Sequence, residues 1–135
     1  MAIEILSDHN CEGQARAIMT ALEREGYTAL FDFRLLIFED LGLPRTADDE
    51  TVWRACQQRG CYLLTGNRSG QEGERSLEGV LRRLVTADHL PVLTIANLNR
   101  VMHDRDYRWR CAERLAEIVI DPERFWGVSR LFLPG

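Results

Sequence analysis

Short apolar runs recur along this chain, and the segments between them carry apolar residues at helical spacing. Ala2 to Leu6 reads as a buried strand. From Cys11 to Arg24, Ala15, Ile18, Met19 and Leu22 recur with the period of one helix face, and Gly26 ends the pattern. Thr28 to Phe33 predicts a second short strand. Leu35 to Leu41 is apolar without a clear period and is assigned a short helix or turn, followed by a loop from Pro44 to Ala47. A helix is predicted from Asp49 to Arg59, closed by Gly60, then a third strand from Cys61 to Thr65. Gly66 to Gly73 is a polar turn, and Arg75 to Val85 is helical with Leu77, Val80, Leu81 and Leu84 on one face. Pro91 to Ile95 predicts a fourth strand, Leu98 to Met102 a helical turn, and Asp104 to Ile120 a long amphipathic helix. Asp121-Pro122 has the form of a helix start, and Leu131-Phe132-Leu133 that of a small closing strand. Strands alternating with helices predict an α/β fold in three layers, α/β/α, around a mostly parallel sheet.

Composition narrows this little. The 135 residues suit one domain with a real core, and 45% hydrophobic with 28% charged residues is ordinary for a soluble globule. The net charge of −4 gives no global attraction for nucleic acid, so a basic groove has to be local. No apolar run approaches the roughly 20 residues of a membrane span, and the first residues lack the form of a signal peptide, which predicts a cytoplasmic protein. All 17 basic residues other than histidine are arginine. With no lysine, Schiff-base chemistry and the lysine of a P-loop are excluded, while planar guanidinium forks suit phosphate. A genome that favours arginine codons accounts for the same bias. Cys11, Cys56, Cys61 and Cys111 form no Cys-x-x-Cys pair and read as core thiols.

The chemistry concentrates at the predicted strand ends. In an open parallel sheet, ligands bind beyond the carboxyl ends of the strands. Asp8 follows the first strand, Asn67 follows the third, and Asp49 opens the helix that leads to the third. Oxygen ligands converging from separate segments suit a hard divalent cation such as Mg²⁺. A plainer account competes: Thr46-Ala47-Asp48-Asp49 fits a capping box with Asp in place of Glu, and acids in a first turn also stabilise the helix dipole. Of the three histidines, only His9 stands beside this site, and its ring is read as orienting a neighbour.

The order and spacing of these segments resemble the PIN-like nucleases, in particular small bacterial PIN-like proteins related to the nucleases of toxin–antitoxin pairs. A strand followed by Asp-x-Asn is matched by Asp8-His9-Asn10. Asp-Leu-Gly-Leu and then Asp-Glu at a helix start are matched by Asp40-Leu41-Gly42-Leu43 and Asp49-Glu50. A glycine, a strand and Thr-x-Asn are matched by Gly60 and Leu63-Leu64-Thr65-Gly66-Asn67. The resemblance covers residues 3 to 68. It implies Mg²⁺- or Mn²⁺-dependent endonucleolytic cleavage of RNA. Asp8, Asp49 and Asn67 are then the catalytic positions, Asp8, Asp49, Glu50 and Asn67 the metal site, and Asn10 and Thr65 flank it. Many such proteins carry Asp where Asn67 stands; an amide ligates through its carbonyl oxygen but adds no charge. Arg68 and Arg75 follow closely enough to grip a substrate phosphate, with Arg82 and Arg83 extending the track.

RNA is the expected substrate, and an antitoxin-like protein or a second copy of the chain, as a homodimer, are candidate partners. Two other functions fit the same residues. One is a PIN-like binding or toxin–antitoxin partner without catalysis. The other is an unrelated α/β nucleotide-binding protein, although no Gly-x-Gly-x-x-Gly follows the first strand.

Overall fold

Period-two alternation inside the strands decides the architecture. Ile5, Leu64, Leu93 and Ile95 point to one side of the sheet, while Leu6, Leu63 and Val92 point to the other. A sheet apolar on both faces has to be covered on both, and helices do this on either side. The computed structural model describes residues 2–66, 72–85 and 89–135, and residues 72–76 as helix backbone only. The strands are β1 (Ala2–Ser7), β2 (Asp32–Leu36), β3 (Tyr62–Gly66), β4 (Val92–Ile95) and β5 (Arg130–Leu133). The helices are α1 (Glu12–Arg24), the single turn α2 (Tyr27–Leu30), α3 (Asp49–Arg59), α4 (Glu72–Leu84), α5 (Leu98–His103) and α6 (Arg105–Ile120).

The strands form one parallel sheet in the order β2-β1-β3-β4-β5. The expected α/β class, the parallel sheet and helices on both faces are therefore present. α1 and α6 cover one face, where Ile18, Leu22, Leu115 and Ile118 are fully buried. Truncating a residue such as Leu115 to alanine in this layer costs about 2–5 kcal/mol. α3 and α4 cover the other face through Val52, Trp53, Leu77, Val80 and Leu81. From β1 the chain goes to β2 on one side, and then crosses to β3 on the other. That reversal opens a crevice at the carboxyl ends of β1 and β3.

Two predicted boundaries move. Thr28 to Phe33 is not one strand: Tyr27–Leu30 forms a helical turn and β2 runs from Asp32 to Leu36. Gly26, at φ +83°, lets the chain turn directly out of α1, and the Ala29 amide donates to its carbonyl at 3.2 Å. The ambiguous run from Leu35 to Leu41 is divided, with β2 ending at Leu36 and a 3₁₀ turn spanning Phe38–Leu41. At the end of β3, Gly66 is required by close approach: a Cβ there would lie 2.5 Å from Leu98 Cδ1 of α5. No helix of the described residues is long and apolar enough to cross a membrane.

Candidate metal centre

The β1 ladder does not stop at Ser7. The Asp8 amide donates to the Leu64 carbonyl at 2.9 Å, so Asp8 is fixed to the sheet while its side chain stands at the crevice. Its carboxylate is largely buried. Thr65 Oγ1 donates to Asp8 Oδ2 at 3.0 Å, and His9 Nδ1 lies 3.3 Å from Asp8 Oδ1 without the alignment of a hydrogen bond. The imidazole packs against Phe38, ring centroids 5.5 Å apart. Thr65 thus orients Asp8 through a hydrogen bond, while His9, expected to orient a neighbour, stands beside it without one.

The start of α3 separates two adjacent acids. Asp48 is the N-cap, accepting a hydrogen bond from the Thr51 amide at 2.8 Å. That bond holds the Asp48 carboxyl below its ordinary range. The predicted box began instead at Thr46; the cap lies two residues later because Asp48 Oδ1 reaches the N3 amide. Capping therefore accounts for Asp48, and Asp49, one residue on, stands in the first turn, where its charge suits the helix dipole. Asp49, in the first helical turn, lines a small pocket together with Asp8, Thr65, His9 and Phe38. Ala47, Val52, Leu63 and Leu77 complete its walls.

The pocket measures about 60 Å³. Small-molecule sites begin near roughly 300 Å³, so this one has the scale of an ion with water. Asp8 is buried and Asp49 half-buried, so both carboxylates border one small, partly apolar space. Among the described residues no group of three or more His, Cys, Asp or Glu is placed to hold a metal. Two carboxylates nonetheless fit Mg²⁺ or Mn²⁺, since Mg²⁺ commonly takes one or two carboxylates and completes its shell with water and substrate phosphate.

The other expected site residues divide clearly. Thr65 joins the pocket as a donor to Asp8. Glu50 does not: Arg54 Nε and Arg83 donate to its two oxygens at 3.0 and 2.9 Å, and both guanidiniums hold its carboxyl below the ordinary range. Arg83 is thereby drawn into a surface pair and away from a phosphate track. Asn10 is exposed in the 3₁₀ turn that follows Asp8 and is not part of the pocket wall. Asn67 and Arg68 lie outside the described residues, as does the side chain of Arg75. Glu78 of α4 accepts from Arg130 at 2.6 Å.

Cys11 sits behind Asp8, with its Sγ 3.5 Å from the Leu64 carbonyl and 3.6 Å from the Asp8 carbonyl. Burial pushes its thiol up to about 12, so it is a packed thiol and not a nucleophile. All four cysteines are free and buried, in line with the core reading. Sequence reasoning missed Phe38 and Leu77 as pocket walls. Phe38 lay in the run without a clear period, and Leu77 was read only as core. No family model, curated protein or solved structure matches this chain.

Proposed function

We propose that this chain is a PIN-like, Mg²⁺- or Mn²⁺-dependent endoribonuclease working at the pocket between Asp8 and Asp49. One observation carries the reading: a carboxylate from the end of β1 and a carboxylate from the first turn of α3 line the same small pocket at the sheet's switch point. When bound, a divalent ion supplies charge for a phosphate and lowers the pKa of a coordinated water. Asp8 and Asp49 would hold it. Thr65 keeps Asp8 in its rotamer, and the rings and methyl groups of Phe38, Val52 and Leu77 limit water around the carboxylates. The amino end of α3 contributes a favourable dipole beside Asp49. No lysine or histidine base is needed for hydrolysis run this way, which suits a chain without lysine.

The test is titration of Mn²⁺ by calorimetry together with cleavage of single-stranded RNA. Asp8→Asn and Asp49→Asn should each weaken Mn²⁺ binding by about 10- to 100-fold or more, since even groups behind metal ligands have effects of that size. Both should abolish cleavage, and EDTA should do the same to the wild type. Asn67→Asp, which adds a charge at the third expected position, should tighten Mn²⁺ binding and raise activity. Mn²⁺ binding unchanged by Asp8→Asn would overturn the site. Tight Mn²⁺ binding without cleavage, in both the wild type and Asn67→Asp, would favour the non-catalytic binding role.

A further inference from the structure

A second pocket lies on the opposite helical layer, between α1 and α6. Its volume is about 250 Å³, several times that of the acidic pocket. Arg24, Arg105, Arg108 and Trp109 line it, with Thr20 and the small side chains of Ala17 and Ala21 at its base. Glu25 is the acid in its wall.

Three arginines without a carboxylate partner among the described residues gather at this pocket. Most of the described arginines lie within 4 Å of a carboxylate. Arg24, Arg105 and Arg108 form no ion pair with any described carboxylate. Arg108 is steadied instead by donating to the Val101 carbonyl at 2.9 Å, which fixes one guanidinium in the wall. Trp109 is 40% exposed and lines the same pocket as these cations, so part of its indole meets solvent there. Guanidinium forks match phosphate oxygens, and an open indole stacks a base irrespective of its sequence. A docked peptide helix would require large apolar sockets, and Ala17 and Ala21 offer only methyl groups.

We propose that this pocket is a second contact for single-stranded RNA, seating a phosphate among Arg24, Arg105 and Arg108 and stacking a neighbouring base on Trp109. The choice of RNA rests on the nuclease reading; the pocket's charge and ring do not. Because α1/α6 and α3/α4 cover opposite faces of the sheet, the contact is separate from the Asp8–Asp49 pocket. It retains a strand without taking part in cleavage.

Fluorescence anisotropy with a labelled oligouridylate in EDTA reads binding without cleavage. The double variant Arg24→Gln, Arg105→Gln should weaken binding by about tenfold or more, and Trp109→Ala by about tenfold, the scale of one lost stack. Trp109→Phe, which keeps a ring, should recover most of that loss. Arg34 lines neither pocket, and Arg34→Gln should bind the oligonucleotide as the wild type does. Binding unchanged in the double variant, or absent from the wild type, overturns the proposal whatever the cleavage assay shows. Polyglutamate bound as tightly as RNA also overturns it, because that polymer offers charge without a ring to stack. RNA left intact by the wild type with Mn²⁺ overturns the nuclease reading instead, and cleavage that persists in Asp8→Asn overturns its site, whatever the binding shows.

Discussion

The two pockets of this molecule are opposites. The Asp8–Asp49 pocket is small, acidic and roofed by apolar side chains, and its key carboxylate is pinned by Thr65 and flanked by His9. The Arg24–Arg105–Arg108 pocket is larger, basic, and made of side chains that mostly reach into water. The first is built into the sheet and inherits its rigidity. The second lies on helix exteriors, where exchange of a residue disturbs little else. A net charge of −4 conceals both, because paired arginines and acids dominate the total. Local pairing, and not the sum of charges, decides where an anion or a cation has reason to bind.

The largest difference should appear on adding a divalent ion. Mn²⁺ at about 100 times its dissociation constant adds roughly 2.7 kcal/mol of stability to a protein that binds it only when folded. The wild-type Tm should therefore rise by several degrees in a thermal scan. Asp8→Asn and Asp49→Asn should lose that rise, while Arg105→Gln should keep it in full. An equal rise in all four proteins would place the ion elsewhere.

Arginine itself supplies the next contrast. Arg130 is nearly buried, donating to Thr94 Oγ1 at 2.8 Å and pairing with Glu78, and its guanidinium lies 5.3 Å from the Phe132 ring. Arg130→Met removes these bonds and should destabilise the protein by about 1–3 kcal/mol in urea unfolding, the usual penalty for polar groups left unpaired. Arg105→Gln should stay within about 0.5 kcal/mol of the wild type. Equal losses would mean that the basic pocket is part of the framework and not a binding surface.

Asp48 and Asp49 make a finer comparison of neighbours. Asp48→Ala should lower Tm and leave Mn²⁺ binding intact, whereas Asp49→Ala should do the reverse. The sign with pH follows from the lowered Asp48 value. Its cap is in place above the ordinary Asp value of 3.8 and is lost as pH falls through the lower folded value. The Tm gap between wild type and Asp48→Ala should therefore close in acid.

These same residues show how far the sequence could be read. Regular periodicity located β1, α3, β3, β4 and α6 closely, because each has a strict apolar period or a clear end signal such as Gly60. The strand beginning at Asp32 was misplaced, since Thr28 to Phe33 is rich in residues that suit strands while the turn at Gly26 uses the first of them for a helix. Asp8 and Thr65 were legible because strand ends are visible in sequence. Whether Asp48 or Asp49 served as the cap was not, because that depends on a rotamer. The ion pairs that remove Glu50 from the pocket come from Arg54, one turn along α3, and from Arg83 on another helix; only the first is local. The basic pocket joins α1 to α6 across the chain, and no periodicity announces a junction between two helix exteriors.

The smallest expected effect is also the most specific, and it lies in the salt dependence of RNA binding. Neutralising a phosphate on a single strand releases counterions, so log affinity falls with log salt by about 0.7 per contact. If Arg24 and Arg105 each meet one phosphate, replacing either by Gln should flatten the slope by about 0.7. Trp109→Ala should lower affinity at every salt concentration and leave the slope unchanged, because stacking releases few ions. Arg34→Gln removes a cation already paired with Asp32 at 3.2 Å on the β2 edge, away from both pockets, and should change neither quantity. Anisotropy titrations across a salt series give all four slopes. Parallel lines for wild type and Arg105→Gln would show that the guanidinium does not meet the phosphate. A flattened line for Arg34→Gln would show that the strand is held by diffuse charge and not by the basic pocket.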